Sequence, residues 1–253
     1  MTGWEHLAVL AAGLGAGVMT STVGVASLLS FPILVALGIP PVVANASNTV
    51  GLTPGAMTGS FGYRSELREH PVVTTTIIGT CAAGAVGGAV LLLALPPGVF
   101  EAVVPWLILG TCLLVGAQPR ISRWLKTADA APPDERTRLS PVTTFFSTLV
   151  GVYGGYFGAG SGVMMMAVLG FGSNLEFRIL NALKTLAILA SNLVASVIFI
   201  AVAELDWTAV LLLAAGSILG GYVGARIGRR LNPTVLRALI VVVGVSAAVS
   251  MLL

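Results

Sequence analysis

The chain has 253 residues, of which 56% are hydrophobic and only 9% charged, with a formal net charge of +3 and a mean hydropathy of +0.98. A soluble domain carries about 25% charged residues, so a polar shell around a single soluble core is excluded and an all-α polytopic membrane protein is expected. The 7% aromatic content and the lack of alternating ten-residue segments exclude an outer-membrane barrel.

The chain opens MTGWEHLAVL, with Glu5 and no basic run, so no cleaved signal peptide is expected. Eight apolar blocks follow, at 5–43, 44–62, 71–95, 99–118, 142–173, 178–203, 207–228 and 233–253. Six have the length of one crossing, about 20 residues. The first and fifth exceed 30 residues and are rich in glycine. Each is either one very long helix or two shorter pieces forming a broken or re-entrant hairpin. Pro32 and the glycines at 24, 158, 160 and 162 favour breakage, and Pro54 predicts a further break within the second block. Cys81 and Cys112 are too isolated for a disulfide framework or a metal cluster. They read as small hydrophobes.

The basic residues bear on topology. They fall at 64 and 68, at 120–138, at 178 and at 226–237, with Lys184 apart from the rest. If both long blocks are hairpins, every group except Lys184 lies on one side of the membrane. Glu5, Glu101, Glu204 and Asp206 then lie on the other. The positive-inside rule prefers this arrangement, a multi-pass protein of the cytoplasmic (inner) membrane with its amino terminus outside.

The chain also repeats itself at a spacing of about 136 residues. Asn45-Ala46-Ser47-Asn48-Thr49 aligns with Asn181-Ala182-Leu183-Lys184-Thr185, Gly59-Ser60 with Ala195-Ser196, and Leu95-Pro96-Pro97 with Leu231-Asn232-Pro233. The domains expected are a first membrane repeat over 1–118, a cytoplasmic connector over 119–141 containing APPDER, and a second membrane repeat over 142–253. Each repeat holds about four hydrophobic blocks. With hairpins, the repeats have inverted topology, a construction typical of secondary transporters with a site near the midplane.

Within the repeats runs a polar stripe. Asn181, Lys184, Thr185 and Asn192 share one helical face, as do Asn45, Asn48 and Thr49. Intramembrane ionisable residues usually face a bundle interior or an aqueous cavity. Lys184 lies six residues beyond Arg178, however, and two readings stay open: snorkelling to the interface, or a functional cation for an external anion. The asparagines likewise read as either ligands or interhelical hydrogen-bonding groups. The stretch FGAGSGVMMM (157–166) permits close backbone approach, and Gly160, Ser161 and Gly162 offer amides of the kind that bind anions at a helix start. Its first-half counterpart, VGVASLLSFP (23–32), offers Ser27. The run Met164–Met166 reads as packing rather than a metal path, since thioether sites need Cys or His company.

GGYFGAGSGVMMM followed by NALKTL resembles the second-half pattern of the TauE/SafE (sulfite exporter TauE-like, TSUP) family, and ANASNT leading to GSFGYR resembles its first half. The resemblance covers nearly the whole chain. It departs at 23–27, where VGVAS replaces a denser glycine cluster. What it implies is transport of a small anion, notably sulfite, a sulfonate or a related organic acid, often outward. The site expected is Lys184, Asn181, Thr185, Asn192, Asn45, Asn48, Thr49, Gly160, Ser161, Gly162 and Ser27, with no cofactor and no metal. An anion channel on the same scaffold is the alternative. An enzyme is not expected, because no paired carboxylates, metal cluster or Ser/His/Asp set shares one membrane level. The partners expected are the small anion and the lipid bilayer, with no nucleic acid; homo-oligomerisation stays open.

Overall fold

The computed structural model describes residues 3–128, 139–173, 175–227 and 233–252, without the side chains of 21, 121–128, 225–227 and 233–236. Residues 129–138 of the connector therefore lie outside the described residues, as do the side chains of Arg123, Lys126, Arg136, Arg138, Arg226, Arg229 and Arg230.

The described residues form eleven helices and no strand. The first half holds α1 (Gly3–Thr22), α2 (Ser27–Ala36), α3 (Pro41–Gly62), α4 (Arg64–Glu69), α5 (Pro71–Ala94) and α6 (Pro97–Ala128). The second holds α7 (Pro141–Tyr156), α8 (Ser161–Gly172), α9 (Phe177–Val202), α10 (Trp207–Ile227) and α11 (Pro233–Leu252). Four stretches among the described residues are long and apolar enough to cross a bilayer: Pro71–Ala94, Pro97–Arg120, Phe177–Val202 and Trp207–Gly224. The protein is an all-α polytopic membrane protein. Helix α3 falls outside that set because it is rich in Asn, Ser, Thr and Gly. Its residues from Ala44 to Ala56 are buried at all positions but Pro54, so it faces protein rather than lipid.

Both long blocks are broken. Helix α1 ends at Thr22 and α7 at Tyr156, and each gives way to a short helix, of 10 residues in α2 and 12 in α8. At 1.5 Å per residue these reach about 15–18 Å, roughly half of a bilayer core. The two breaks are built alike. Gly24 and Gly158 adopt left-handed φ values of +83° and +75°, which cost glycine little. Their amides reach back five residues, to the carbonyls of Met19 at 2.7 Å and Tyr153 at 2.9 Å. Pro32 lies inside α2 and does not end it.

Pro54 does not break α3, contrary to the expectation from sequence; the helix runs continuously from Pro41 to Gly62. Pro54 lacks the N–H that would bond Val50 O, and hydroxyls engage the carbonyls on either side of that position. Ser217 Oγ donates to Gly51 O at 3.0 Å, Thr53 Oγ1 to Thr49 O at 2.8 Å, and Ser196 Oγ to Thr49 O at 3.5 Å. Side chains of neighbouring helices commonly tie down the backbone around a proline in a membrane helix.

Helices α3, α5 and α6 begin at 41, 71 and 97, and α9, α10 and α11 begin 136 residues later, at 177, 207 and 233. Most of the packing is preserved when the two sets are exchanged, although α3 meets α6 without an equally close contact of α9 with α11. Helix α1 packs on α10 as α7 packs on α5; α3 packs on α10 as α9 packs on α5; α2 meets α11 as α8 meets α6; α3 packs on α9 and α6 on α11. The tightest crossings are glycine on glycine. A Cβ on Gly17 would strike the Gly220–Gly221 backbone, and a Cβ on Gly84 the Gly151–Val152 backbone. Beside the second break, Phe31, Phe100 and Phe157 pack edge to face, with Phe31 and Phe157 centroids 5.2 Å apart. This cluster ties α2 and α6 to the start of the second break.

Candidate functional site

The two breaks meet. Gly24 and Gly162 touch through their backbones: a Cβ on Gly162 would lie 2.8 Å from Gly24 O and 3.1 Å from Gly24 Cα. Beside this contact is a small cavity of about 20 Å³, lined by Gly24, Ser27 and Leu52 from the first half and Gly158, Ser161, Ile188 and Asn192 from the second. That volume holds about one water. Gly24 and Gly158, Ser27 and Ser161, and Leu52 and Ile188 are counterparts in the two halves, whereas Asn192 stands where the first half has Ala56. Ser27 opens α2 and Ser161 opens α8. Two helix amino termini, each with a serine at its first position, therefore face one cavity, and such ends attract negative charge.

Lys184 lies one turn before Ile188 on α9. It is 0% exposed, which overturns the snorkelling reading. Its Nζ donates to Asn181 Oδ1 at 2.6 Å and to Thr22 O at 3.4 Å. Its stem passes Gly24, where a Cβ would lie 3.3 Å from the lysine Cδ. Among the described residues no carboxylate pairs with it. A buried ammonium with only neutral acceptors is costly. Its acceptor on α1 is the carbonyl of that helix's last residue, where the helix dipole is negative.

The rest of the expected site divides by role. Asn181 is held from behind, its Nδ2 donating to the Tyr63 hydroxyl at 3.0 Å, so its oxygen faces the lysine. Asn45 donates to Tyr156 O at 2.9 Å and so caps α7 as Lys184 caps α1. Asn48 accepts from Ser30 Oγ at 2.5 Å. Asn45 Oδ1 and Asn48 Nδ2 are buried without partners among the described residues. Thr49 and Thr185 donate to the carbonyls of Asn45 and Asn181 four residues back, both at 2.9 Å. Gly160 adopts a left-handed φ of +79° ahead of α8. The structure thus brings Ser27, Ser161 and Asn192 to the cavity, Lys184 and Asn181 to its flank, and Gly162 to the contact between them. Asn45, Asn48, Thr49 and Thr185 bond within the helix packing.

Four side chains beyond that set hold the centre in place. Thr111 Oγ1 and the Tyr153 hydroxyl both donate to Ala159 O, at 3.0 and 2.6 Å, and fix the second break. Gln118 Nε2 reaches Val23 O at 3.5 Å in the first break. Tyr63 orients Asn181. Only Gln118 had a visible signal, as a lone amide at the end of an apolar block. Nearby, Arg178 at the start of α9 grips Glu69 of α4 through two bonds of 2.8 and 2.9 Å. That guanidinium holds the Glu69 carboxyl below the usual carboxylate range.

The family profile described as "Sulfite exporter TauE/SafE" matches residues 9–251. The chain belongs to the TauE/SafE sulfite exporter family. It is 29% identical over 243 residues to "Probable membrane transporter protein ORF9" of Sinorhizobium sp, covering 94% of this chain and 88% of the relative. It is also 27% identical over 247 residues to a "Probable membrane transporter protein" of Haemophilus influenzae, covering 95% and 92%. No solved structure matches the chain significantly. This TauE/SafE protein is thus a multi-pass member of a membrane transporter family, with its centre built where two broken helices meet.

Proposed function

We propose that this protein is a secondary transporter that moves a small anion, a sulfur oxyanion or an organosulfonate of the sulfite type, outward across the cytoplasmic membrane. The observation that carries this reading is the convergence of two short-helix amino termini on one cavity, with a fully buried lysine on its flank that has no carboxylate partner among the described residues. Each element favours negative charge, and the missing counter-charge is the one an anion supplies.

On this reading residues 1–118 and 142–253 are inverted repeats joined by the connector at 119–141. A hairpin followed by three crossings leaves the second repeat upside down relative to the first. The cavity is too small for a three-oxygen anion, so the two breaks must separate for substrate to enter. That supports a carrier with an occluded centre over an open channel. A negative-inside membrane potential would draw a monovalent anion outward without any coupled ion.

The test is a binding screen of the purified protein against sulfite, thiosulfate, methanesulfonate, sulfate and small carboxylates. Saturable binding of at least one sulfur oxyanion is expected; binding of none of the set would end the proposal. The inverted arrangement has a test of its own. A cysteine placed at Leu205 should react with a membrane-impermeant maleimide from the outside of intact cells. Reaction only in inside-out vesicles would contradict it.

A further inference from the structure

A second cation is tied to the first break. Two consecutive carbonyls at the end of α1, those of Thr22 and Val23, accept from side chains of the other elements: Thr22 O from Lys184, Val23 O from Gln118. Gln118, on α6, is only 6% exposed. Its other end is also engaged, because Gln118 Oε1 accepts from Arg237 Nε at 3.1 Å. One buried amide therefore bridges the break that lines the cavity and a guanidinium on α11.

Among the described residues the two Nη groups of Arg237 have no hydrogen-bond partner and no carboxylate lies against it. The residue is partly exposed. A guanidinium with both terminal nitrogens available matches two oxygens of one oxyanion, and it does so with a geometry a lysine lacks. The register strengthens the point. Position 237 lies 136 residues after Glu101, as Lys184 lies 136 after Asn48. At both places the second half substitutes a cation for a neutral or acidic group.

We propose that Arg237, braced by Gln118, forms an oxyanion-binding position ahead of Lys184, on the face that carries the basic loops. The ligand class is a small anion with at least two oxygens on one atom, such as sulfite or a sulfonate. This rests on the anion-transport reading above. Gln118 is a positioning residue: by bonding both Val23 O and Nε it fixes the guanidinium relative to the break. An anion leaving Arg237 next meets Lys184, on the neighbouring carbonyl of the same break.

The experiment compares sulfite and methanesulfonate flux in inside-out and right-side-out vesicles carrying the full chain. Arg237→Gln should raise the half-saturating concentration about ten- to a hundredfold at the face bearing the basic loops, the size expected for losing charge-assisted hydrogen bonds. The opposite face should be little changed. Arg237→Lys, which keeps charge but not the fork, should recover only part of the loss, and Gln118→Leu should shift the same face in the same direction by less. Half-saturation unchanged by Arg237→Gln at both faces would overturn the proposal. So would an equal rise at both faces with a lowered melting temperature, which is the mark of a packing role. If the wild-type protein shows no saturable flux of either anion, the anion-transport reading itself falls, and this inference with it.

Discussion

Lys184→Met should lower sulfite or sulfonate flux at least about thirtyfold while leaving the protein inserted and folded. Truncating one partner of a buried charge pair typically costs about 2–5 kcal/mol of binding, and every tenfold corresponds to about 1.4 kcal/mol. Methionine has nearly the same length and fills the same space beside Gly24. The substitution leaves Asn181 Oδ1 and Thr22 O without their donor, a loss of about 1–3 kcal/mol each. Removing a buried ammonium offsets much of that, so the melting temperature in detergent should stay within a few degrees of wild type. The lysine also caps α1, and this variant removes both contributions, so the melting temperature reports the loss of the cap and the flux the loss of the charge. Flux at the wild-type rate would mean that Lys184 is a helix cap and no more.

Gly162→Ala should affect folding and transport together. The added methyl would meet Gly24 O at 2.8 Å and Gly24 Cα at 3.1 Å, and Ile188 Cδ1 at 2.8 Å. The isoleucine can turn aside, but a backbone held by its own left-handed cap cannot. Overpacking of this kind costs about 1–3 kcal/mol, so a lower melting temperature in detergent is expected along with slowed flux. Gly79→Ala is the control, since nothing lies within 4 Å of a Cβ there. If the two variants melt alike, the contact between the breaks does not hold the centre together.

Much of this was legible in the residues, for reasons that differ by position. Composition alone settles a helical membrane protein, because a bilayer tolerates few polar groups. The break after α1 was readable because glycine is cheap at positive φ, and Gly24 and Gly158 both sit there. Prolines misled where glycines did not. Pro32 and Pro54 both lie inside helices, and the backbone beside Pro54 is engaged by hydroxyls of α9 and α10 that no local pattern reveals. The polar stripe was found as a stripe, but its division was hidden. Asn45 and Asn181 occupy equivalent positions, yet one caps a helix while the other orients a lysine. Which of the two each does depends on partners more than 100 residues away, Tyr156 in one case and Tyr63 in the other.

The exchange symmetry of the packing has a consequence for charge. Any residue that both halves carry appears twice about the shared centre. A dimer of two identical halves could therefore place two lysines in that interior or none, and two ammonium groups there would repel each other with little water to screen them. Joining the halves in one chain removes the constraint. Asn48 can remain neutral while Lys184 carries a single positive charge. An odd charge at the middle of an even structure is something two identical halves cannot hold.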